Sequence, residues 1–504
     1  MKPEWRHLDI RYYAIAVSLL LSVLHALLNP IPNADAFGYV RTAEVYLNEG
    51  VAAAYAWYPS AAYSVLVGLL HQITGLDLFA AGQVLNSLFY ALVVYSFISL
   101  ALEIRDTRRL AIIAAITVLI YPQLNEYRYF LIRDIGFLGF ALLGLLFLIR
   151  YSKAQRWLEI VLFCATTAIA ALFRSEALAY LVAGPLVLLC NSQFAWRARF
   201  MALLKMIAVQ FVLALLGAAV LMMMDVDVLR ILRSIISVYV PFLRDSWAAL
   251  SAASSPLTDA VFGEYAADYS GQYIVLFMTA GLGAILALKL ITGFGVPPLL
   301  VLLYGLKNRF CELHHPAWRA VFCYALIAFV IMLGFLLLTR FMSTRYTLLF
   351  CTVLVLMVPL VIDNALNQVR GESAMKIMRG VLGFVVLFCA IDAHISFGAS
   401  KDAMQEASDW IVANTPENIT LITNSHYVAF HSGRVKDYDN ISRYVDENTI
   451  TYAGFGTLLA LSLDRNVSEL LEASRAFQQV ELVAQFPADG EPEFVIYRRT
   501  GFLP

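Results

Sequence analysis

Apolar residues run along this chain in blocks near the ~20 positions that a helix needs to cross ~30 Å of hydrocarbon, with short polar segments between them. The first block, 12–28, follows Lys2, Arg6 and Arg11 and is succeeded by further apolar blocks rather than a small-residue cleavage site. It reads as a retained signal-anchor helix whose N-terminus stays in the cytoplasm. Further spans are expected at 77–102, 109–124, 134–150, 157–173, 177–191, 203–224, 274–304, 319–340, 346–362 and 377–395, eleven in all. The segment 274–304 has room for a tilted helix, a broken helix or two short ones around Gly293, Pro297 and Pro298; two full crossings there would invert the C-terminus. PSAAYSVLVGLLHQITG, residues 59–75, is apolar but short, and is expected to lie as an amphipathic helix at the outer interface.

Charge supports that order. The loops that should then be cytoplasmic hold Arg105, Arg108 and Arg109; Arg150, Lys153 and Arg156; Arg197, Arg199 and Lys205; Lys307, Arg309 and Arg319; and Arg370, Lys376 and Arg379. Counting 59–75 as a crossing would turn the 105–109 loop outward. The outward regions become 29–76, 124–134, 174–177, 225–273, 341–345 and everything after 396, so the C-terminus is extracytoplasmic. A hydrophobic share of 61% against 14% charged excludes water as the main solvent, and a net charge of −1 implies neither nucleic acid nor an acidic partner. The fold class is an all-α polytopic bundle over 1–395, with outward loops 29–76 and 225–273.

After residue 396 the pattern changes. KDAMQEASDWIVANTP and LLEASRAFQQ read as helices, and ITLITN, VELVAQF and EFVIYRR as strands, giving a small α/β domain over 396–504. Sequons at Asn418, Asn440 and Asn466 would be acceptors only in a secretory pathway. All six cysteines, 164, 190, 311, 323, 351 and 389, fall in spans or a cytoplasmic loop, leaving none for outward disulfides. The eight histidines form no cluster, with His314–His315 in a cytoplasmic loop, so no metal ligands are assigned.

Two acids stand at expected outer helix ends. Asp35 follows the first helix in NPIPNADAFGYVRTAEVYLNEG, and Asp134 begins another in NEYRYFLIRDIGF. Each admits a plain reading as a helix cap in contact with water and a chemical one, because an unpaired intramembrane charge costs about 2.5–3.5 kcal/mol. Arg41, Arg128, Arg133, Arg174, Arg340 and Arg345 run against the positive-inside bias. Singly each reads as a snorkelling anchor or as the partner of an acid such as Glu126 or Glu176. As a set they suit an anionic ligand, since guanidinium grips phosphate with paired charge-assisted hydrogen bonds.

These segments resemble the polytopic glycosyltransferases of the GT-C fold, in the bacterial branch related to protein O-mannosyltransferases and aminoarabinose transferases. Asp35, Tyr39 and Ala43 match a D-x-x-x-Y-x-x-x-A loop, Tyr58–Pro59 through Gly75 a juxtamembrane helix, and Arg133–Asp134 a second acidic site. FRSEALAYLVAGP, STRYTLLF and ASDWIVANTPENITLITNSHYVAFHSGR follow in the family's order. The resemblance implies inverting transfer of a sugar from a polyprenyl-phosphate donor to a lipid, glycan or protein acceptor, on the extracytoplasmic face of a bacterial inner membrane. It implies Asp35 as general base, Asp134 positioning the acceptor or that base, and Arg345, Arg174 and Arg133 on the donor phosphate. Tyr39, Tyr58 and Tyr346 are implied in loops that meet acceptor or donor. Many members carry a basic residue with two prolines where this chain has Tyr58-Pro59-Ser60, which leaves acceptor choice open. No cofactor is fixed by it; a divalent cation stays open because metal dependence varies within the fold. The other classes consistent with the residues are a transporter or flippase of a lipid-linked anion and a membrane acyltransferase.

Overall fold

The computed structural model describes residues 9–223, 256–312, 315–395, 402–435, 445–463, 467–470 and 478–501, together with 233, 237, 240, 241 and 244. Asn440, Asn466, His314, most of LLEASRAFQQ and much of the 225–273 loop lie outside the described residues. The chain divides into two compact units. One comprises Met1–His25, Val84–Arg128 and Arg133–Ile395; the other comprises Ala26–Gln83, Tyr129–Ile132 and Ser396–Pro504.

The helices in chain order are α1 (Ile10–Leu28), α2 (Ala34–Glu49), α3 (Val51–Trp57), α4 (Ala62–Thr74), α5 (Leu78–Ile104), α6 (Arg108–Leu119), α7 (Pro122–Asn125), α8 (Asp134–Ala154), α9 (Trp157–Phe173), α10 (Ala177–Ala183) and α11 (Trp196–Met223). Then come α12 (Pro256–Phe262), α13 (Glu264–Ser270), α14 (Ile274–Phe294), α15 (Val296–Lys307), α16 (Pro316–Thr339), α17 (Thr344–Val355), α18 (Met357–Gln368) and α19 (Glu372–His394). Among the described residues, 8 candidate spans are long and apolar enough to cross a membrane, where the pattern of the sequence suggested eleven. The difference lies in three short or interrupted elements. The 109–124 block contains the 12-residue α6, about 18 Å long at 1.5 Å per residue. The 157–173 block is the 17-residue α9, and the 177–191 block is α10 followed by a 3₁₀ stretch, Gly184–Cys190.

Proline explains two interruptions. Pro185 has no N–H to give the Leu181 carbonyl, and the Gln210 side chain supplies the missing donor at 2.7 Å. Pro359 likewise cannot reach Val355, where α17 ends. The 274–304 block is broken at Gly295, whose φ of 71° and ψ of 154° suit only glycine. Tyr121, just past α6, donates a hydrogen bond to the Gly293 carbonyl, so this break sits at the far end of α6 from Arg108. α15 then returns to the opposite end, where the Phe310 N–H bonds the Gly305 carbonyl.

That opposite end of the first unit is closed by ions. Arg105 and Arg109 both bind Asp363, Arg105 also binds Glu312, and Arg150 and Lys153 hold Glu103 at 2.8 and 2.9 Å. α8 and α9 form a tight hairpin because Gly144 leaves room for Thr167; a Cβ there would lie 2.8 Å from the Thr167 hydroxyl. The cysteines gave no expectation of a disulfide, yet Cys190 at the end of the 3₁₀ stretch is bonded to Cys323 of α16.

In the second unit, α20 (Asp402–Asn414), α21 (His426–Ser432) and α22 (Glu447–Thr451) accompany a four-stranded sheet of β1 (Leu421–Thr423), β2 (Leu458–Ser462), β3 (Val480–Phe486) and β4 (Phe494–Arg499). The order is β1-β2-β4-β3, with β1 and β2 parallel and the other pairs antiparallel. Leu458 and Ala460 pack with Ala403, Ala407 and Ile411 of α20, while Leu459 and Leu461 pack on the other face with Ile450 and Val467. β2 was not expected from the sequence. It is an interior strand covered on both faces, so it shows no polar alternation, and its Leu and Ala residues favour helix when read locally.

Candidate functional site

Three sequence fragments meet in the first unit. Asp134 is the first residue of α8, where the helix dipole favours a carboxylate. Arg174 closes α9 in an extended conformation, and the link Arg174-Ser175-Glu176 leads into α10. Tyr346 stands in the first turn of α17. Arg174 donates from Nη1 to Asp134 Oδ1 at 2.5 Å and from Nη2 to Glu176 Oε1 at 2.6 Å, and its Nε lies 3.4 Å from Glu176 Oε2. The guanidinium also covers the Tyr346 ring at 4.2 Å, with Arg345 5.5 Å from the same ring.

Burial sets the electrostatics. The side chains of Arg174, Asp134 and Glu176 are 10%, 7% and 18% exposed. Desolvation opposes the charge on Arg174, but Asp134 and Glu176 outweigh it and raise its pKa. Desolvation also opposes ionisation of Glu176, and Arg174, helped by Arg133, lowers its pKa below the ordinary value. Burial raises the Tyr127 phenol; Glu126 adds to the rise, Arg345 counters it and Asp134 adds again, so these groups share one electrostatic neighbourhood. A small cavity of about 30 Å³ opens beside Arg174 and Glu176, walled by Phe137, Tyr180, Phe335 and Tyr346. Among the described residues no three His, Cys, Asp or Glu side chains converge as a metal-binding group.

Asp35 belongs to the second unit, near the start of α2. Asn33 locks that start: its Oδ1 accepts the Leu131 N–H at 2.8 Å and its Nδ2 reaches the Leu131 carbonyl at 3.4 Å. One face of α2 is buried through Ala36, Phe37, Val40 and Ala43, whereas Asp35 is half-buried beside exposed Ala34 and Gly38. A Cβ on Gly38 would meet nothing within 4 Å. Tyr39 packs edge-on against Tyr58 and Tyr63, at 6.1 and 4.9 Å between ring centres. The expected helix at 59–75 is the 13-residue α4, packed on α2 where Gly68 admits the Tyr46 ring.

Several neighbours of the candidate residues were invisible in the sequence. Phe37 contacts Phe79, Phe430, Tyr427 and His431, so α21 of the C-terminal residues is docked against the helix that carries Asp35. Burial lowers the pKa of His431, opposed by Asp409. The histidines are also less scattered than expected, since His25 Nε2 and His394 Nδ1 are 2.9 Å apart and join α1 to α19. Arg128, flagged for its unusual side, binds Ser18, Ser22 and Asn125 and lies 4.2 Å over Tyr90. Arg41 pairs with Glu44 at 3.0 Å. Only the run of arginines against the charge bias hinted at such buried partners; sequence distances of over a hundred residues hide the rest.

No family model matches the chain, and no curated protein matches it. Solved structures do. ArnT from Cupriavidus metallidurans bound to undecaprenyl phosphate aligns over 96% of this chain and 97% of its own, with 12% identity and a TM-score of 0.52. The oligosaccharyltransferase of Archaeoglobus fulgidus, tethered to an acceptor peptide containing the NVT sequon, aligns over 97% of this chain and 74% of its own, with 10% identity and a TM-score of 0.50.

Proposed function

We propose, from the premise that this chain has the GT-C glycosyltransferase fold, that it moves a sugar from a polyprenyl-phosphate donor to an acceptor at the extracytoplasmic face of a membrane. The observation that carries this reading is the convergence of Arg133–Asp134, Arg174–Glu176 and Arg345–Tyr346 from three distant segments into one buried cluster. Arg133 and Arg345 bring two guanidinium groups to it besides Arg174, which is held by Asp134 and Glu176. The cluster suits a departing phosphate, whose negative charge grows as the glycosidic C–O bond breaks.

Asp35 takes the proton from the acceptor's nucleophile as that atom attacks the anomeric carbon from the face opposite the phosphate. The sugar is inverted, and the carrier phosphate leaves with the bonding electron pair. Arg345 and Arg133 hold the phosphate. The nitrogens of Arg174 point to Asp134 and Glu176, so Arg174 acts mainly by holding Asp134 in place. Tyr39 and Tyr58 line the acceptor side of α2, and Asp134 orients the acceptor. The acceptor is a lipid, a glycan or a protein segment, and its choice belongs to the second unit.

The test compares wild type with Asp35→Asn in lipid nanodiscs, using a panel of radiolabelled polyprenyl-phosphate sugars and a membrane extract as acceptor source. Transfer by the wild type, with turnover lost but donor binding kept in the variant, supports the assignment. Binding without transfer by either protein favours a carrier of lipid-linked anions, and absence of binding removes the donor class altogether.

A further inference from the structure

Among the described residues, α19 is buried against its neighbours at one end. Its buried residues are Cys389 and Ala393 in the last two turns, where it packs on α7. Over the rest of its length it stands away from α15 and α18, leaving a groove of about 810 Å³ lined by side chains such as Leu300, Val301, Val361, Ala365, Ile377 and Val381. Among the described residues, no polar side chain but the Tyr304 phenol contributes to the lining. Hydrocarbon must fill such a gap in a bilayer, because both water and empty space are unfavourable there.

Charge in the segments that flank one end of this groove points to the headgroup. Residues 369–380 carry Arg370, Lys376 and Arg379 against one acid, Glu372, which is bonded to Lys376 at 2.8 Å. Lys307, the last residue of α15, and Arg309 just past it add two more exposed cations on the same side as the Arg105–Asp363 network. Along α17 and α18, Val361 lies sixteen residues past Arg345, about 24 Å at 1.5 Å per residue, so the groove is distinct from the Arg174 cluster. We propose that the α15/α18/α19 groove binds an anionic glycerophospholipid from the leaflet on the Arg105 side, with its acyl chains between the helices and its phosphate at Arg370 and Lys307, which follow the lining residues Val369 and Tyr304. The site is independent of the sugar-transfer reading.

Native mass spectrometry of the delipidated full chain in mild detergent tests it, with phosphatidylglycerol, phosphatidylethanolamine and undecaprenyl phosphate as probes. Wild type is expected to retain phosphatidylglycerol in preference to phosphatidylethanolamine. Arg370→Gln with Lys307→Gln should reduce that preference about twenty-five-fold, each basic residue near a headgroup contributing on the order of five-fold. Ala374→Phe, at an exposed position that lines the groove, should weaken both phospholipids alike while thermal unfolding without lipid stays unchanged. Equal retention of the two phospholipids, an unaltered preference in the double variant, or displacement of phosphatidylglycerol by undecaprenyl phosphate would overturn the proposal.

Discussion

Arg174 illustrates what one buried cation does when two carboxylates depend on it. With Asp134 and Glu176 both mostly buried, removing the guanidinium strands two negative charges, and breaking a buried pair in this way costs about 3–5 kcal/mol. Arg174→Gln is therefore expected to lower the unfolding temperature in detergent strongly, and more than Glu176→Gln, which removes one acid and leaves the other paired. An equal effect of the two would show that Arg174 is not the hub. The pH dependence follows from Glu176. Its pKa is lowered in the folded chain, so its contribution to stability is present above the ordinary value of 4.5 and is lost as pH falls through the folded value. Thermal unfolding followed from pH 7 downward should show this acid loss in the wild type and a smaller one in Glu176→Gln. Arg174, whose pKa is raised, keeps its charge throughout that range.

At the scale of elements, breaks matter as much as helices. Gly295 separates α14 from α15 in a backbone region that L-residues avoid, and its missing side chain makes room for Gln123. Gly295→Ala should cost about 1–3 kcal/mol from backbone strain alone, read as a fall in unfolding temperature. If it were neutral, the two helices would have to be continuous. α2 depends on a different kind of packing. Half-buried Phe430 packs against both Phe37 and Phe79, at 5.4 and 5.5 Å from their ring centres, and Phe430→Ala should cost about 2 kcal/mol, less than the ~3–5 kcal/mol of a fully buried ring. Because α2 carries Asp35, the same variant is expected to lower kcat more than it weakens donor binding; a change confined to KM for the donor would contradict a positioning role.

For the whole molecule, the second unit is assembled from three separated stretches, 26–83, 129–132 and 396–504. Truncation after Ile395 retains all 8 candidate spans yet removes α21 from Phe37. The truncated chain should insert into membranes and fail to transfer sugar, with sugar release from the donor as the measurement. Full activity of that chain would separate catalysis from the C-terminal residues. Reporter fusions at residue 501 and at the 105–109 loop should report opposite sides of the membrane, as the distribution of Lys and Arg implies.

The sequence determined the membrane solvent, the positions of most helices and the residue types that chemistry needs, because these follow from local composition and from charge counted loop by loop. VELVAQF, bounded by turn residues, was legible as a strand for the same reason. Asp134, Arg174 and Arg345 were each legible as candidates through the charge bias and the family motifs. Tertiary structure alone decided that Arg174 binds Asp134 and Glu176 together, that His25 meets His394, that Cys190 pairs with Cys323, and that LLALS is an interior strand. It also decided that Pro185 and Pro359 interrupt expected spans, with Gln210 satisfying the carbonyl that Pro185 leaves open. The reason is physical: periodicity and charge bias are sums over neighbours in sequence, whereas an ion pair, a disulfide or a buried strand depends on which distant segment burial brings into contact.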